Sequence, residues 1–200
     1  METIKFSKMD KDKIITQMMQ GGIFAFPTDT VFGLGCIMDE DAIRRIYIAK
    51  GRDFNKPLPM MCDSLKMIKS VAHVNRKAEK IIRKFTPGAL TVILNKKEET
   101  ADYITQGNKT IGIRVPNDEW ILDLIKKIGK PIMVTSANIS NEGSLLKWED
   151  VYESMKGKID GIVCEDALGD KASTIVELTD DIKILREGPI SLDELKEALQ

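Results

Sequence analysis

The sequence predicts an α/β fold in which helices cover a mixed β-sheet. Short apolar segments typical of buried strands alternate with amphipathic segments at helical spacing along most of the 200 residues. Short loops separate the last strands, which favours a mixed sheet over a purely parallel one. With 42% hydrophobic residues the chain can build one sizeable core. We therefore expect a single domain over residues 1–200.

The first elements follow from apolar spacing and capping residues. Ser7 or Asp10 would cap a helix that ends at Gly21-Gly22, and its apolar side is formed by Ile14, Ile15, Met18 and Met19. Strands are expected at 23–26, 31–36 and 58–62, and helices at 39–50, 64–70 and 75–85. The helix over 39–50 places Lys50 and Arg52 at or just beyond its C-terminus, where the helix dipole favours cations.

The remaining elements continue the alternation. Strands are expected at 89–95, 110–115, 132–135, 161–164, 173–178 and 182–185. Helices are expected at 118–128 and 148–156, and Ser191 with Glu194 forms a capping box for a last helix.

Cysteine and histidine content excludes several classes of protein. Cys36, Cys62 and Cys164 are widely spaced and His73 is the only histidine, so we expect free thiols, no disulfide framework and no metal site. His73 has the look of a loop residue, and we do not expect it to be catalytic. No run approaches the roughly 18 apolar residues of a membrane span, and the start lacks a signal-peptide core. A cytoplasmic location is expected.

Charge is distributed unevenly. Residues 1–140 carry 23 basic and 16 acidic side chains, whereas residues 141–200 carry 7 and 15. The first part could therefore present a positive face to a nucleotide or to RNA. The alternative is that the cations at 76–84 are merely the solvated side of an amphipathic helix.

Lys50-Gly51-Arg52 with Lys56 suggests a phosphate site. Ammonium and guanidinium groups neutralise a polyphosphate, and glycine lets the backbone come close to it. The chain has neither a P-loop nor a dinucleotide-binding fingerprint. The phosphates must therefore be held in another way.

Other polar residues follow predicted strands. Arg114 lies in an apolar strand, where burial is costly without an anionic partner. That partner is either a substrate carboxylate or a structural Asp or Glu. The hydroxyls of the turn at 27–30, and Ser136-Ala137-Asn138 after the strand at 132–135, would point into a crevice at the sheet edge, unless these are ordinary turns.

Eight short motifs occur together. They are the segments at 26–35, 49–52, 56–58, 87–91, 111–116, 135–138, 173–176 and 186–188, which read FPTDTVFGLG, AKGR, KPL, PGALT, IGIRVP, TSAN, STIV and REG. In this order they resemble the YrdC-like family, the threonylcarbamoyl-AMP synthases, over nearly the whole chain.

The resemblance implies a fold and a reaction. The fold would be a twisted mixed sheet with flanking helices and a concave, positively charged cavity, in the short form that lacks an additional C-terminal domain. The enzyme would be a nucleotidyltransferase that converts L-threonine, bicarbonate and ATP, with Mg²⁺, to threonylcarbamoyl-AMP and pyrophosphate. The product feeds the threonylcarbamoyladenosine modification of tRNA, so the tRNA threonylcarbamoyl-transfer machinery would be a partner, and tRNA or double-stranded RNA could bind the cavity.

The resemblance also implies roles for individual residues. Those expected around threonine are Thr30, Arg114, Val134 (with the backbone near it) and Ser173. Those expected around ATP are Lys50, Arg52, Lys56, Thr110, Ser136, Asn138, Ser144 and Arg186, of which Lys50 and Arg52 would be catalytic. Three positions depart from the family pattern. Phe32 stands where a tyrosine is common, and Lys56 stands where an asparagine is frequent. Met61 stands where some members have a histidine near threonine.

Two other functions remain open. The first is a non-catalytic RNA-binding or ribosome-assembly protein, which would account for the basic bias of residues 1–140 but not for Arg114 or the Ser136-Ala137-Asn138 turn. The second is a carbamoyl-adenylate-forming module like those used in maturing hydrogenases. Such modules usually sit in larger chains with zinc-finger-like cysteines.

Overall fold

The computed structural model describes residues 2–199 and contains, in that range, one mixed sheet of ten strands. The strands are β1 (Ile4–Phe6), β2 (Phe24–Phe26), β3 (Gly33–Ile37), β4 (Met60–Met61), β5 (Leu90–Asn95), β6 (Thr110–Arg114), β7 (Ile132–Ser136), β8 (Gly161–Val163), β9 (Thr174–Glu177) and β10 (Lys183–Arg186). Their order across the sheet is β1-β8-β2-β3-β7-β4-β6-β5-β9-β10. The pairs β1–β8, β8–β2, β4–β6 and β5–β9 are parallel and the other five are antiparallel. The predicted mixed sheet is confirmed.

Helices cover both faces of this sheet. They are α1 (Lys11–Met19), α2 (Glu40–Lys50), α3 (Leu65–Val71), α4 (Arg76–Phe85), α5 (Asp102–Thr105), α6 (Glu119–Ile128), α7 (Trp148–Met155) and α8 (Leu192–Glu197). Asp39, Ser64, Asn75 and Asp118 cap their helices by accepting a backbone N–H. The capping box of Ser191 and Glu194 is present as predicted.

Four local features differ from the prediction. The short elements β1 and α5 were not predicted, because neither is long enough to show a period. The strand predicted over 58–62 is reduced to two residues, since Pro57 and Pro59 lack the N–H that a sheet ladder needs. Ser7 and Asp10 form a capping box on a 3₁₀ turn that precedes α1. Met19, predicted on the apolar side of α1, is 53% exposed.

Alternation along the strands divides the core between the two faces of the sheet. One buried cluster contains Phe24, Phe26, Ile132 and Val134 and packs against α1 and α6. The neighbouring residues Ile23, Ala25 and Met133 face the other, larger cluster. This is the period of two that places successive strand side chains on opposite faces.

The connection from β8 to β9 constrains the shape of the sheet. This crossing segment, residues 164–173, starts at the second strand of the sheet and ends at the ninth. A flat sheet would separate those strands by about 34 Å, at roughly 4.8 Å per strand. The eleven residue steps from Val163 to Thr174 span at most about 36–40 Å when fully extended. Because the segment also bends, the sheet must curve toward it.

Among the described residues, no helix is both long and apolar enough to span a membrane. The three cysteines are free, with Cys36 and Cys62 buried and Cys164 half-buried.

Candidate functional site

A cavity of about 270 Å³, which we call the inner cavity, opens on the face of the sheet that carries α1 and α6. Its floor follows from strand alternation. Thr91 and Ile93 of β5 face it, with Gly112 and Arg114 of β6 directly opposite in register. Their chain neighbours point into the core on the other side. Val134 and Ser136 of β7 continue the same face.

Arg114 is the most buried cation of this cavity, at 6% exposure. Its Nη2 donates to Asp29 Oδ1 at 2.7 Å, its Nη1 to Thr30 Oγ1 at 2.6 Å, and its Nε to the Gly88 carbonyl at 3.1 Å. Asp29 is itself fixed, because its second oxygen accepts the Asn117 backbone N–H at 2.9 Å. Of the two partners considered for Arg114, the structural carboxylate is therefore present. Burial lowers the pKa of Arg114, and Asp29 opposes that shift.

The guanidinium retains donors for a ligand. It has five N–H groups, and three of them have partners among the described residues. Each Nη atom keeps one further N–H, and Arg114 lines the inner cavity. A carboxylate is a ligand that accepts from such N–H groups.

The turn between β2 and β3 presents two buried hydroxyls beside Arg114. Thr28 Oγ1 donates to the Val31 carbonyl at 2.7 Å, so Thr30 must be the donor in the 3.1 Å contact between the two threonine hydroxyls. Thr30 Oγ1 then accepts from Arg114. Gly33 admits this packing, because a Cβ there would lie 3.1 Å from the Thr28 methyl group and 3.0 Å from Val134 Cγ1.

Ser173 lies immediately before β9, two strands from Arg114 in the sheet. Its hydroxyl is 2.8 Å from Thr91 Oγ1, and its carbonyl accepts from Nε and Nη2 of Arg186 at 3.0 and 2.8 Å. Burial lowers the pKa of Arg186, and the Arg186 charge also lowers the pKa of Arg114. The charges of Arg114 and Arg186 are therefore close enough to affect each other, and both side chains line the inner cavity.

A second, more polar cavity of about 430 Å³, the outer cavity, adjoins the first. Four residues line both cavities: Arg52, Ser136, Ser144 and Arg186. Lys50, Lys56 and Asn138 line the outer cavity alone, together with the carboxylates Asp53 and Glu142. The two cavities form one continuous crevice in which basic side chains outnumber acidic ones among the described residues.

Lys50 forms the wall of the outer cavity. It ends α2, is 1% exposed, and donates from Nζ to the carbonyls of Ser136 and Asn138, the latter at 2.6 Å. A third contact reaches Asn138 Oδ1 at 3.3 Å, so all three N–H groups of the ammonium are directed at this loop. Burial, and to a lesser extent the nearby Arg52, lowers the pKa of Lys50 to about 8. The ammonium thus holds the turn after β7 against the end of α2.

Arg52 follows α2 and is connected to it by Gly51, which has a left-handed backbone conformation. Gly51 has φ 58°, and the N–H of Arg52 returns to the Tyr47 carbonyl at 2.9 Å, which ends the helix. The Arg52 side chain donates to the carbonyls of Lys56 and Pro57 at 2.9 and 3.1 Å. Its guanidinium is held over the loop at the junction of the two cavities.

The structure brings most of the predicted site residues together. The inner cavity is lined by Thr30, Arg52, Arg114, Val134, Ser136, Ser144, Ser173 and Arg186, and the outer cavity adds Lys50, Lys56 and Asn138. Thr110 lines neither cavity: it shares the face of Gly112 but lies opposite Asn95, at the far end of β6. Met61 and Phe32 line the inner cavity.

Sequence reasoning did not single out Asp29, Thr91 or Ser140 as functional residues. Strand alternation could have identified Thr91, because it lies two positions from Ile93 and therefore on the same face of β5. Asp29 lies within the turn at 27–30 whose hydroxyls were predicted to face a crevice, but its partner, Arg114, is 85 residues away in the sequence. Ser140 lines the outer cavity, and its Oγ is buried without a partner among residues 2–199.

The histidine and the three cysteines line neither cavity. His73 is exposed in the loop after α3. Burial raises the pKa of the Cys36 and Cys62 thiols, which keeps them protonated. Within residues 2–199 no group of three or more His, Cys, Asp or Glu residues could hold a metal ion. The excess of basic side chains suits the crevice to binding and orienting anions.

Comparison with known proteins agrees with this geometry. The Sua5/YciO/YrdC family model, described as telomere recombination, matches residues 16–188. The threonylcarbamoyl-AMP synthase of Pyrococcus abyssi is 37% identical over 185 residues, and that of Bacillus subtilis is 35% identical over 184 residues. Each alignment covers 90% of this chain but only 54% and 53% of the relative. The chain thus spans about half the length of these relatives.

A solved structure matches the fold closely. Sua5 of P. abyssi in complex with L-threonine superposes with a TM-score of 0.90 at 32% identity. The match covers 99% of this chain and 60% of that one.

Proposed function

Because this chain belongs to the Sua5/YciO/YrdC family, we propose that it is a threonylcarbamoyl-AMP synthase. It would be a nucleotidyltransferase that forms threonylcarbamoyl-AMP and pyrophosphate from L-threonine, bicarbonate and ATP. The observation that carries the proposal is the pair of joined cavities. One presents a buried arginine with two available N–H groups, and the other is lined by several cations.

The inner cavity suits an amino acid. The two remaining Arg114 N–H groups would receive the threonine carboxylate, with the hydroxyls of Thr30 and Ser173 on either side. Val134 and Met61 supply apolar surface. An arginine that is already hydrogen-bonded to Asp29, Thr30 and Gly88 is oriented before the substrate arrives, which reduces the entropy lost on binding.

The outer cavity suits the ATP phosphates. Arg52, Lys56 and Arg186 would contact them directly, with Ser136, Asn138 and Ser144 as polar partners. Lys50 would act differently from the other cations, because its three N–H groups hold the turn at Ser136 and Asn138. Mg²⁺ would enter with ATP, since this ion is usually bound through phosphates, water and one or two carboxylates. Asp53 and Glu142 line this cavity.

The reaction needs no protein nucleophile. The threonine amine adds to the carbon of bicarbonate with loss of water, and an oxygen of the resulting carbamate attacks the α-phosphate with loss of pyrophosphate. The protein would place these groups side by side and neutralise the charge that develops on pyrophosphate. Arg52 and Arg186 line both cavities and so lie where the two substrates would meet.

The proposal also covers the use of the product and the compartment in which the enzyme would act. The product would serve the threonylcarbamoyladenosine modification of tRNA in the cytoplasm, through the threonylcarbamoyl-transfer machinery. A purely RNA-binding role is less well supported, because Lys50 and Arg114 are too buried to reach the phosphates of a nucleic acid. The exposed cations of α4 lie opposite its buried side, Ala78, Ile81 and Ile82, as on any amphipathic helix.

Mass spectrometry of the products tests the proposal. The protein incubated with ATP, Mg²⁺, bicarbonate and L-threonine should yield threonylcarbamoyl-AMP and an equal amount of pyrophosphate. Omitting threonine or bicarbonate should abolish both. RNA binding without such a product would favour the non-catalytic alternative.

A further inference from the structure

The crossing segment between β8 and β9 runs along the inner cavity and contributes Ala172 and Ser173 to its lining. It is seated on the turn between β2 and β3 by one backbone bond, from the Leu168 N–H to the Thr28 carbonyl at 3.1 Å. A second bond, from the Ala167 N–H to the Leu146 carbonyl at 2.9 Å, fixes the neighbouring loop. The segment therefore touches the turn at Thr28 and also supplies Ala172 and Ser173 to the cavity lining.

Gly169 is where the segment comes closest to that turn. A Cβ at this position would lie 2.5 Å from the Thr30 carbonyl oxygen, 2.6 Å from Thr30 Cα and 2.7 Å from the Asp29 carbonyl oxygen. All three are backbone atoms, so no side-chain rotation can relieve the contact. The φ of Gly169 lies outside the left-handed region. The close approach, not the backbone conformation, requires glycine here.

The two residues beneath Gly169 are the ones that hold the Arg114 guanidinium. Thr30 accepts from Nη1 and Asp29 from Nη2. Four residues after Gly169, the same segment delivers Ser173 to the lining of the inner cavity. We propose that Gly169 is a positioning residue of the amino-acid subsite, whose missing side chain sets the distance between the turn that orients Arg114 and the segment that carries Ser173. This inference rests on the proposed function.

The size of the effect follows from the contact distance. Ordinary van der Waals contact begins at 3.4 Å, so a Cβ at 2.5 Å requires a displacement of about 0.9 Å. That displacement must move either the Thr30 backbone or the segment leading to Ser173. Because a 1 Å misplacement of a positioning group can reduce activity by about 10²-fold, we expect Gly169→Ala to raise the KM for threonine by about ten- to a hundredfold.

The experiment compares Gly169→Ala with Leu168→Ala. Leu168 is the chain neighbour of Gly169, is 77% exposed and lines neither cavity, and alanine there keeps the N–H that bonds Thr28, so this control should leave both KM values unchanged. Steady-state rates of pyrophosphate release are measured while threonine and ATP are varied separately, and thermal melting is recorded for each variant. At a temperature below its melting transition, Gly169→Ala should raise the threonine KM and leave the ATP KM within about twofold of wild type.

Three outcomes separate the possibilities. A threonine KM within about twofold of wild type, or an equal rise for both substrates together with a lower melting temperature, would overturn the role of Gly169. If Gly169→Ala does not fold, Leu168→Pro tests the same seating of the segment on the turn, because it removes the N–H that bonds Thr28 and fixes the backbone there, while the exposed Leu168 side chain takes no part in the core. Absence of threonine-dependent product from the wild type would instead refute the proposed function, and this inference with it.

Discussion

Replacing Arg114 by lysine tests the amino-acid subsite without removing its charge. Arginine makes three hydrogen bonds that point in different directions, to Gly88, Thr30 and Asp29. A lysine ammonium is a single point on a flexible stem and cannot reproduce the planar fork. We therefore expect it to retain the bond to Asp29 and to lose the paired donors that would receive the substrate carboxylate.

The magnitude follows from the bonds that are lost. One hydrogen bond between charged groups contributes about 1.5–3 kcal/mol, which corresponds to a rise of about 10- to 150-fold in the threonine KM. Loss of two internal bonds should lower the free energy of unfolding by about 1–3 kcal/mol. In a chain of this size that is about 2–12 °C in melting temperature, so the assays are made at 25 °C.

The assay is pyrophosphate release, with threonine and ATP varied separately. Arg83→Lys is the matched control, because Arg83 is exposed on α4 and pairs only with Glu79 among the described residues. An Arg114→Lys variant whose threonine KM stays within about twofold of wild type would refute the reasoning. So would an ATP KM that rises by the same factor, since Arg114 would then be a phosphate or structural residue.

Three further predictions concern the charged residues around the crevice. Arg52→Ala should raise the ATP KM at least about tenfold with little loss of melting temperature, and an unchanged ATP KM in pyrophosphate-release kinetics would exclude a phosphate role. Asp29→Ala leaves the Arg114 charge buried without its carboxylate and should lower the free energy of unfolding by about 3–5 kcal/mol in urea titrations, whereas a loss below about 1 kcal/mol would mean that the pair is not buried as described. Burial lowers the pKa of Lys50 to about 8 from 10.5. Between these two pH values Lys50 binds more protons in the unfolded chain than in the folded one. Its contribution to the free energy of unfolding therefore increases as pH rises. Burial also raises the pKa of the Cys36 and Cys62 thiols, which opposes that rise over the same range. The Lys50 contribution is therefore the difference between wild type and Lys50→Met: in urea unfolding, the stability of the wild type relative to Lys50→Met should increase from pH 8 to pH 10, and equal slopes would contradict it.

Two apolar residues of the inner cavity bear on substrate choice. Met61 and Phe32 line this cavity and add apolar surface to it. A pocket that discriminates by hydrogen bonds rejects analogues more strongly than one that discriminates by apolar contact. The hydroxyls of Thr30 and Ser173 therefore become the groups by which the threonine side chain would be recognised.

The order of helices and strands, and the face that each presents, were largely determined by local sequence. Alternation in β5 placed Thr91 and Ile93 on one face, and Ser191 with Glu194 marked the start of α8. These signals depend on residues within a few positions of one another, so they can be read without the tertiary structure. The elements that were missed, β1 and α5, were too short to carry such a signal.

The partners of the charged site residues were decided only by the tertiary structure. The sequence indicated that Arg114 needs an anion, but left open whether this is a substrate carboxylate or a structural Asp or Glu. The assignment to Asp29 required β6 to lie near a turn 85 residues earlier. Similarly, the sequence placed Lys50 at the end of α2, and only the fold directs its ammonium to carbonyls 86 and 88 residues away. Periodicity specifies the face on which a side chain lies but not which strand becomes its neighbour, because strand order depends on how all ten strands pack together.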